Sequence, residues 1–288
     1  MKESVYTYKG FRKDELEYQY NPRESVPEYP ELAKKRAEAS RKARSTLKSW
    51  LNVAYGNSPR EVLDIYPADR PGGPVLVYIH GGYWRSGSKD ENCNFAPAFV
   101  QRGATVVLVE YDLCPKVTVT DIVRQTRASI AWVYRNIMRY SGNPSKLYVS
   151  GHSAGGHLTA MALAHDWEKE GLPRNLIKGA VTTSGVYDMD MVMQISVNEQ
   201  VRMTPEIARE NSPFFHPPLP ACPVIVAVGG AEPKGWQQMS EDYFKLCKER
   251  GLDSQYLVIA GANHYTMSEH LADASSLLTQ AMFKQMGL

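Results

Sequence analysis

One short motif constrains the fold of this 288-residue chain more than any other feature. Residues 151–155 read GHSAG, which has the form G-x-S-x-G. They follow an apolar segment that predicts a strand and precede an alanine-rich segment that predicts a helix. So sharp a turn forces a strained backbone on its serine, and the small residues on either side let strand and helix approach each other. The motif therefore predicts a nucleophile, Ser153, raised above one edge of a sheet at the start of a helix.

The residues after Gly56 alternate between strand-like and helix-like segments. Strands are expected near residues 61–66, 74–79, 105–109, 146–150, 177–184, 224–229 and 255–259, and helices near residues 119–140, 154–167, 236–250 and 267–286. This alternation predicts an α/β protein with a mostly parallel central sheet of about eight strands and helices on both faces. Together with the serine motif, it indicates the α/β-hydrolase fold.

The residues before this alternation have a different character. Residues 1–30 are polar and rich in tyrosine and proline, whereas residues 31–50 carry alanine, leucine, lysine and arginine at helical spacing. We therefore expect two parts. Residues 1–55 would form an N-terminal extension with one basic surface helix, packed on or capping the rest, and residues 56–288 would form the catalytic domain.

A second glycine motif follows another predicted strand. Residues 80–84 read HGGYW, and consecutive glycines leave backbone N–H groups free to face a ligand. With the N–H of Ala154, the N–H groups of Gly81 and Gly82 are candidates for an oxyanion hole. We expect His80 to hydrogen-bond the loop rather than to transfer protons.

A nucleophilic serine needs a general base, because its hydroxyl is protonated at neutral pH. The sequence contains seven histidines, and the hydrolase order of nucleophile, acid and histidine favours a late one. His264 follows the last predicted strand and is the favoured base, whereas His270 lies inside a predicted helix and is a poorer candidate. The histidines close to the nucleophile are expected to be core or surface residues: His152, His157 and His165.

The triad acid is expected after the penultimate predicted strand, between the nucleophile and the histidine. Glu232 is the first carboxylate after that strand, and its role would be to hold one tautomer of the imidazole and to stabilise the imidazolium. Asp242, within a predicted helix, and Asp253, before the last strand, are the alternatives.

Composition narrows the range of partners. Lysine and arginine total 33 against 31 aspartate and glutamate, so the net charge of +2 gives no strong attraction for nucleic acid or anionic membranes. The sequence shows no signal-peptide core, no run of about 18 apolar residues and no metal-ligand spacing. We therefore expect a cytoplasmic protein that takes a small-molecule substrate and needs no cofactor or metal. A homodimer stays open.

These motifs, in this order, resemble the kynurenine formamidase (arylformamidase) branch of the α/β-hydrolases, near the hormone-sensitive-lipase-like esterases. The resemblance is carried by LEYQYNPR at residues 16–23, LDIY at 63–66, HGGYW at 80–84, GHSAGGH at 151–157 and SGVYD at 184–188. It implies a triad of Ser153, Glu232 and His264, and hydrolysis of N-formyl-L-kynurenine to kynurenine and formate. The acid of this family is usually an aspartate in a segment like DSPEF, where this chain reads EPKGW.

Two other functions stay open. One is a general carboxylesterase acting on small aryl or alkyl esters, because the same catalytic groups cleave both bonds. The other is a non-catalytic small-molecule receptor, because a fold does not guarantee an activity. For an aromatic substrate, the candidate walls of the binding pocket are Tyr83, Trp84 and Tyr187.

Overall fold

A computed structural model describes residues 7–219 and 221–288 of the chain. Residues 1–6 of the expected N-terminal extension lie outside the described residues. Within the described ranges, no helix is both long enough and apolar enough to cross a membrane.

The described part of the chain contains ten strands and eleven α-helices, joined by loops and short 3-10 turns. The strands are β1 (Thr7–Tyr8), β2 (Phe11–Arg12), β3 (Trp50–Ala54), β4 (Val62–Tyr66), β5 (Gly73–Ile79), β6 (Thr105–Val109), β7 (Gly142–His152), β8 (Ile177–Thr183), β9 (Val224–Gly229) and β10 (Ser254–Ile259). The helices are α1 (Leu16–Tyr20), α2 (Pro22–Ser25), α3 (Tyr29–Thr46), α4 (Ala96–Val100), α5 (Val119–Asn136), α6 (Ala154–Leu163), α7 (Asn198–Val201), α8 (Pro205–Asn211), α9 (Lys234–Glu249), α10 (Met267–Ala272) and α11 (Leu277–Met286).

Eight of the strands form one sheet in the order β10-β9-β8-β7-β5-β6-β4-β3. All neighbours from β10 to β6 run parallel, and within the described chain the antiparallel pairings of this sheet are those of β4 with β6 and with β3. The predicted mostly parallel sheet of about eight strands is confirmed. Because parallel strands end at the same edge, the topology brings residues 80–84, Ser153, Glu232 and His264 to one side of the molecule.

Helices cover both faces of the sheet, because its strands are apolar on both sides. Along β5, Val75, Val77 and Ile79 pack in a core that includes residues of α5, α6 and α9. The alternate residues, Leu76 and Tyr78, pack in a second core with α4, α10 and α11. Strand β6 is buried at every position, as expected for a parallel strand between two helical layers. The sheet is thus a fixed base for the loops at its edge.

Helix α5 shows how local sequence sets an element boundary. Thr118 and Asp121 form a capping box, in which the threonine hydroxyl accepts the N–H of Asp121 at 3.2 Å. The carboxylate of Asp121 in turn accepts the N–H of Thr118 at 3.0 Å. These bonds satisfy backbone donors that a helix N-terminus leaves free, so the helix begins at Val119 as predicted.

The sheet begins earlier than the sequence indicated. Strand β3 (Trp50–Ala54), which fell within the expected extension, pairs with β4 at the edge of the main sheet. Helix α3 ends at Thr46 because Leu47 has an extended backbone. The helical spacing of residues 31–50 therefore continues past the end of the helix, into the turn that leads to β3.

Two further segments differ from the prediction. The helix expected over residues 267–286 is interrupted between α10 and α11, where the Asp273 side chain accepts the N–H of Ser275 and the Ser276 side chain caps α11. Polar side chains of this kind compete with helical hydrogen bonds. Residues 186–223, for which no element was expected, contain α7 and α8.

The N-terminal segment packs against α9 and against the loop after β5. Gln19 Oε1 accepts the N–H of Gly235 at 2.8 Å, and the Tyr20 ring fills the space that a side chain at position 235 would need. In α3, the Ser40 hydroxyl accepts the N–H of Cys93 at 3.1 Å. These contacts bring helices α1 and α3 close to the carboxyl edge of the sheet.

Candidate active site

Ser153 stands at the turn between β7 and α6, where the motif predicted it. Its backbone adopts φ 58° and ψ −120°, a conformation that residues with a side chain rarely take. The N–H of Ser153 donates to the carbonyl of Thr183 at 2.9 Å, which ties the turn to β8. The residue is buried, and its hydroxyl makes no hydrogen bond within the described chain.

The glycines of the motif are required by contacts with backbone. A Cβ at Gly155 would lie 1.9 Å from the carbonyl oxygen of Ile79, and a Cβ at Gly151 would lie 2.1 Å from the carbonyl oxygen of Gly155. Backbone atoms in strands cannot move away as a flexible side chain can. The pattern G-x-S-x-G is therefore the sequence consequence of packing α6 against β5 and β7 at this turn.

His264 and Glu232 form a buried pair next to the nucleophile. His264 Nδ1 lies 2.8 Å from Glu232 Oε2, and both side chains are almost fully excluded from solvent. The other carboxylate oxygen, Oε1, accepts the N–H of Gly229 at 2.7 Å and the hydroxyl of Ser184. A carboxylate fixed on both oxygens can hold one orientation and one tautomer of the imidazole.

Of the three candidate acids, the structure places Glu232 in contact with His264 and the other two elsewhere. Asp242 lies in α9, where it accepts a hydrogen bond from Gln238, and Asp253 precedes β10 at the opposite end of that strand from His264. Glutamate is longer than aspartate by one methylene group. Its backbone lies just beyond β9, and the carboxylate reaches back to the N–H of Gly229.

Ser153 and His264 line the same cavity. They make no hydrogen bond to each other in this structure. Catalytic hydrogen bonds are often long or poorly aligned in the absence of substrate and tighten when it binds. The fold thus brings the predicted nucleophile and base to one cavity, with the predicted acid directly behind the base.

His152 also lines this cavity, whereas the sequence indicated an ordinary core or surface histidine. Its ring centroid lies 4.6 Å from that of His264. Burial, and then the charge of His264, hold the pKa of His152 well below its usual value, so its ring is neutral at pH 7. Its position directly before the serine in the motif was the available signal for a place in the site.

The loop after β5 approaches the nucleophile as closely as glycine allows. A Cβ at Gly81 would lie 3.0 Å from the Cβ of Ser153 and 2.7 Å from the carbonyl oxygen of His152. Gly82 has φ 122°, and a side chain there would meet the carbonyl of Ser86 at 2.1 Å. Gly81 and Gly82 line the same cavity as Ser153, and Ala154 is the first residue of α6, so the oxyanion-hole assignment stays a prediction.

His80 holds this loop through a buried network. Its Nε2 lies 3.0 Å from Glu110 Oε1 and its Nδ1 lies 2.8 Å from the carbonyl oxygen of Gly81, while its ring stacks on Tyr111. Arg60 donates to the same carboxylate oxygen at 2.6 Å. The predicted structural role of His80 agrees with these contacts, which connect the loop to the end of β6.

Glu110→Gln is expected to destabilise the protein in a pH-dependent way. Burial alone would raise the pKa of Glu110, but the hydrogen bond and charge of His80 and the charge of Arg60 outweigh it and lower the pKa to about 2. A carboxylate whose folded pKa is depressed stabilises the fold above its ordinary value of 4.5, and this contribution is lost as pH falls toward 2. We expect a loss of about 2–3 kcal/mol in the free energy of unfolding at pH 7.

Urea unfolding of both proteins at pH 7 and at pH 3 measures this effect. The difference between wild type and variant should shrink at the lower pH. The exposed Glu38→Gln serves as a control and should change stability by less than about 0.5 kcal/mol at either pH. A Glu110→Gln effect of the same size at both pH values would show that the charge of Glu110 is not what stabilises the loop.

The cavity above Ser153 has a volume of about 210 Å³. Tyr83 lines it, as predicted, together with Tyr29 and Tyr265, whose ring centroids lie 4.3 Å apart. Tyr29 comes from the N-terminal extension, so its place in the pocket depends on how that segment docks. Residues 1–30 have no hydrophobic periodicity from which this docking could be predicted.

Trp84 and Tyr187 do not line the cavity, so the prediction that they form its walls is wrong. Trp84 has φ 54°, and its indole lies in the core, where Nε1 donates to Nδ1 of His157 at 3.2 Å. Tyr187 is also fully buried and stacks on Tyr243 with ring centroids 4.0 Å apart. Both aromatic rings stabilise the layer beneath the site instead of facing a substrate.

The reactive groups of the site are side-chain and backbone groups. Across the described ranges, no group of three or more histidine, cysteine, aspartate or glutamate side chains is arranged to hold a metal ion. The cavity lining brings together the Ser153 hydroxyl, the His264 imidazole with a buried carboxylate behind it, and the backbone of Gly81 and Gly82. Such a set is suited to acyl transfer.

Comparison with known proteins agrees with this arrangement. The BD-FAE family model matches residues 63–207. Kynurenine formamidase of Danio rerio is 36% identical over 97% of this chain and 98% of its own length. A crystal structure from Silicibacter sp. TM1040, described as a candidate thioesterase, superposes with a TM-score of 0.80 at 25% identity over 92% of this chain and 98% of that one.

A Pyrobaculum calidifontis esterase shares the fold, with a TM-score of 0.73 at 20% identity over 96% of this chain and 97% of that one. The match to the Danio rerio protein covers nearly the whole of both chains. The chain therefore belongs to the kynurenine formamidase family of the α/β-hydrolases and is a hydrolase.

Proposed function

We propose that this protein hydrolyses N-formyl-L-kynurenine to L-kynurenine and formate, through a formyl-enzyme on Ser153. The observation that carries the proposal is the buried pair of His264 and Glu232, with Nδ1 and Oε2 2.8 Å apart, beside a serine held at a strained turn. The substrate is inferred from the relatives, which are kynurenine formamidases that match along nearly the whole chain.

In the first half of the reaction, Ser153 Oγ attacks the formyl carbon as His264 Nε2 takes the hydroxyl proton. Glu232 holds the proton on Nδ1, so that Nε2 is free to act as the base, and it stabilises the imidazolium that forms. The imidazolium then gives its proton to the departing aryl amine as the C–N bond breaks. L-Kynurenine leaves, and the formyl group remains on the serine.

The tetrahedral intermediate carries a negative oxygen that needs donors. We propose that the N–H groups of Gly81, Gly82 and Ala154 supply them, with each donor contributing about 3–4 kcal/mol to the transition state. In the second half, water attacks the formyl-enzyme, His264 takes its proton, and formate leaves as the serine recovers its hydrogen. The enzyme returns to its starting state without a cofactor.

A general carboxylesterase is the second candidate, because the same groups cleave an ester and because the solved structures that share the fold include esterases. The substrate preference is the property that separates the two. We expect a kcat/KM of about 10⁴ M⁻¹ s⁻¹ or more on N-formyl-L-kynurenine, and a lower value on p-nitrophenyl acetate. Initial rates on both substrates, with Ser153→Ala subtracting spontaneous hydrolysis, measure this directly. The reverse order of kcat/KM would favour the esterase.

We propose the cytoplasm as the cellular setting. All four cysteines of the chain are free thiols in the structure, and Cys222 is only partly buried. Unpaired thiols of this kind persist in reducing compartments.

A further inference from the structure

The cavity that contains Ser153 concentrates positive charge. Arg23 of α2, Arg36 of α3 and Arg85 of the loop after β5 all line it. Glu91 is the carboxylate on the same lining. Three guanidinium groups against one carboxylate leave a positive excess beside the nucleophile, although the chain as a whole has a net charge of only +2.

Two of these arginines have neutral partners in the described structure. Arg85 Nη1 donates to the side-chain amide oxygen of Gln200 at 2.5 Å, and the Arg23 guanidinium lies 5.1 Å from the centroid of the Tyr29 ring. Within the described ranges, none of the three arginines forms an ion pair with a carboxylate. The buried Nε atoms of Arg36 and Arg85 have no hydrogen-bond partner there.

Such an arrangement is costly without an anion. Burial, and then the charge of Arg23, lower the pKa of Arg85. A lowered arginine pKa indicates that the positive charge at this place is not compensated by a nearby anion. Unsatisfied buried donors also cost free energy. A ligand with negative charge would relieve both penalties at once.

We propose that Arg36 and Arg85, with Arg23 at the exposed side of the cavity, bind a carboxylate of the substrate. This inference rests on the hydrolase function proposed above, because the arginines share their cavity with Ser153. A guanidinium presents a planar fork of donors that matches a carboxylate. The substrate class is then an aryl formamide or ester derived from an amino acid with a free carboxylate, rather than a neutral alkyl ester.

The direct test compares N-formyl-L-kynurenine with its carboxamide, in which the carboxylate is replaced by a neutral amide group. In Arg36→Met and Arg85→Met, kcat/KM for the carboxylate substrate should fall about 10- to 100-fold, mainly through KM. For the carboxamide, it should change by less than about threefold. Arg127→Met is the matched control, because Arg127 is also partly buried with an unpartnered Nε but lies outside the cavity lining. This control should leave both substrates unaffected.

Two outcomes would overturn the carboxylate site. One is an equal loss on both substrates, which would mean that the arginines act on the structure of the site as a whole. The other is wild-type kcat/KM on the carboxylate substrate in both variants. Activity on the neutral carboxamide also reports that each variant is folded.

A second measurement separates this inference from the proposed reaction. L-Kynurenine should inhibit hydrolysis of p-nitrophenyl acetate by wild type more strongly than its carboxamide does, and Arg36→Met and Arg85→Met should remove the difference. If N-formyl-L-kynurenine is not hydrolysed while this arginine-dependent inhibition holds, the proposed reaction fails and the carboxylate site stands. If inhibition by the two compounds is equal in wild type, the carboxylate site is contradicted.

Discussion

Ser153→Ala is expected to lower kcat for N-formyl-L-kynurenine and for p-nitrophenyl acetate by about 10⁶-fold, because the variant has no atom that can form the acyl-enzyme. The remaining rate would come from substrate binding and the backbone donors of Gly81, Gly82 and Ala154, which act without the serine. Steady-state assays at high enzyme concentration measure both rates. The effect should be the same for amide and ester, since both use one nucleophile.

The fold of this variant is checked separately, because position 153 has a positive φ. Alanine is strained there just as serine is, so circular dichroism and the thermal unfolding midpoint should change little. Rates within about tenfold of wild type in a folded Ser153→Ala protein would exclude Ser153 as the nucleophile.

The second large effect is expected at the buried acid. Glu232→Gln keeps the size of the side chain but replaces the carboxylate that faces His264 Nδ1. An amide can present a donor to that nitrogen, which stabilises the wrong tautomer and provides no charge for the imidazolium. We expect kcat to fall about 10⁴-fold with a small change in KM.

Asp242→Asn and Asp253→Asn are the matched controls, because each removes one carboxylate between the nucleophile and the base in the sequence. Both should retain wild-type kcat, since neither side chain contacts His264. A large loss in either control together with near wild-type activity of Glu232→Gln would move the acid role away from Glu232. If Glu232 is the acid as expected, the activity of Glu232→Asp measures how far the carboxylate can retreat from His264.

The parts of the site that the sequence predicted are those set by local geometry. The turn at Ser153 is predictable because any side chain at Gly151 or Gly155 would overlap backbone atoms about 2 Å away, so the motif itself records the packing. His264 follows from its place after the last strand of a parallel sheet. In both cases a short segment and the direction of the strands are enough.

What the sequence did not predict depends on contacts between distant segments. Trp84 lies in the core because two successive residues, Tyr83 and Trp84, have positive φ, which no side-chain pattern announces. Ser184 supports Glu232 from a different strand end. The arginines Arg23 and Arg36 belong to a segment that was expected only to pack on or cap the domain, and they reach the cavity through docking that periodicity does not encode.

Covalent labelling tests the central claim most directly. A fluorophosphonate probe phosphonylates a serine only where a base and oxyanion donors activate it, so wild-type protein should gain one adduct, located by mass spectrometry on the peptide that contains Ser153. His264→Ala should label far more slowly, and heat-denatured protein should not label. An unlabelled wild-type protein, or an adduct on a different residue, would contradict the assignment of Ser153 and His264 to one catalytic centre.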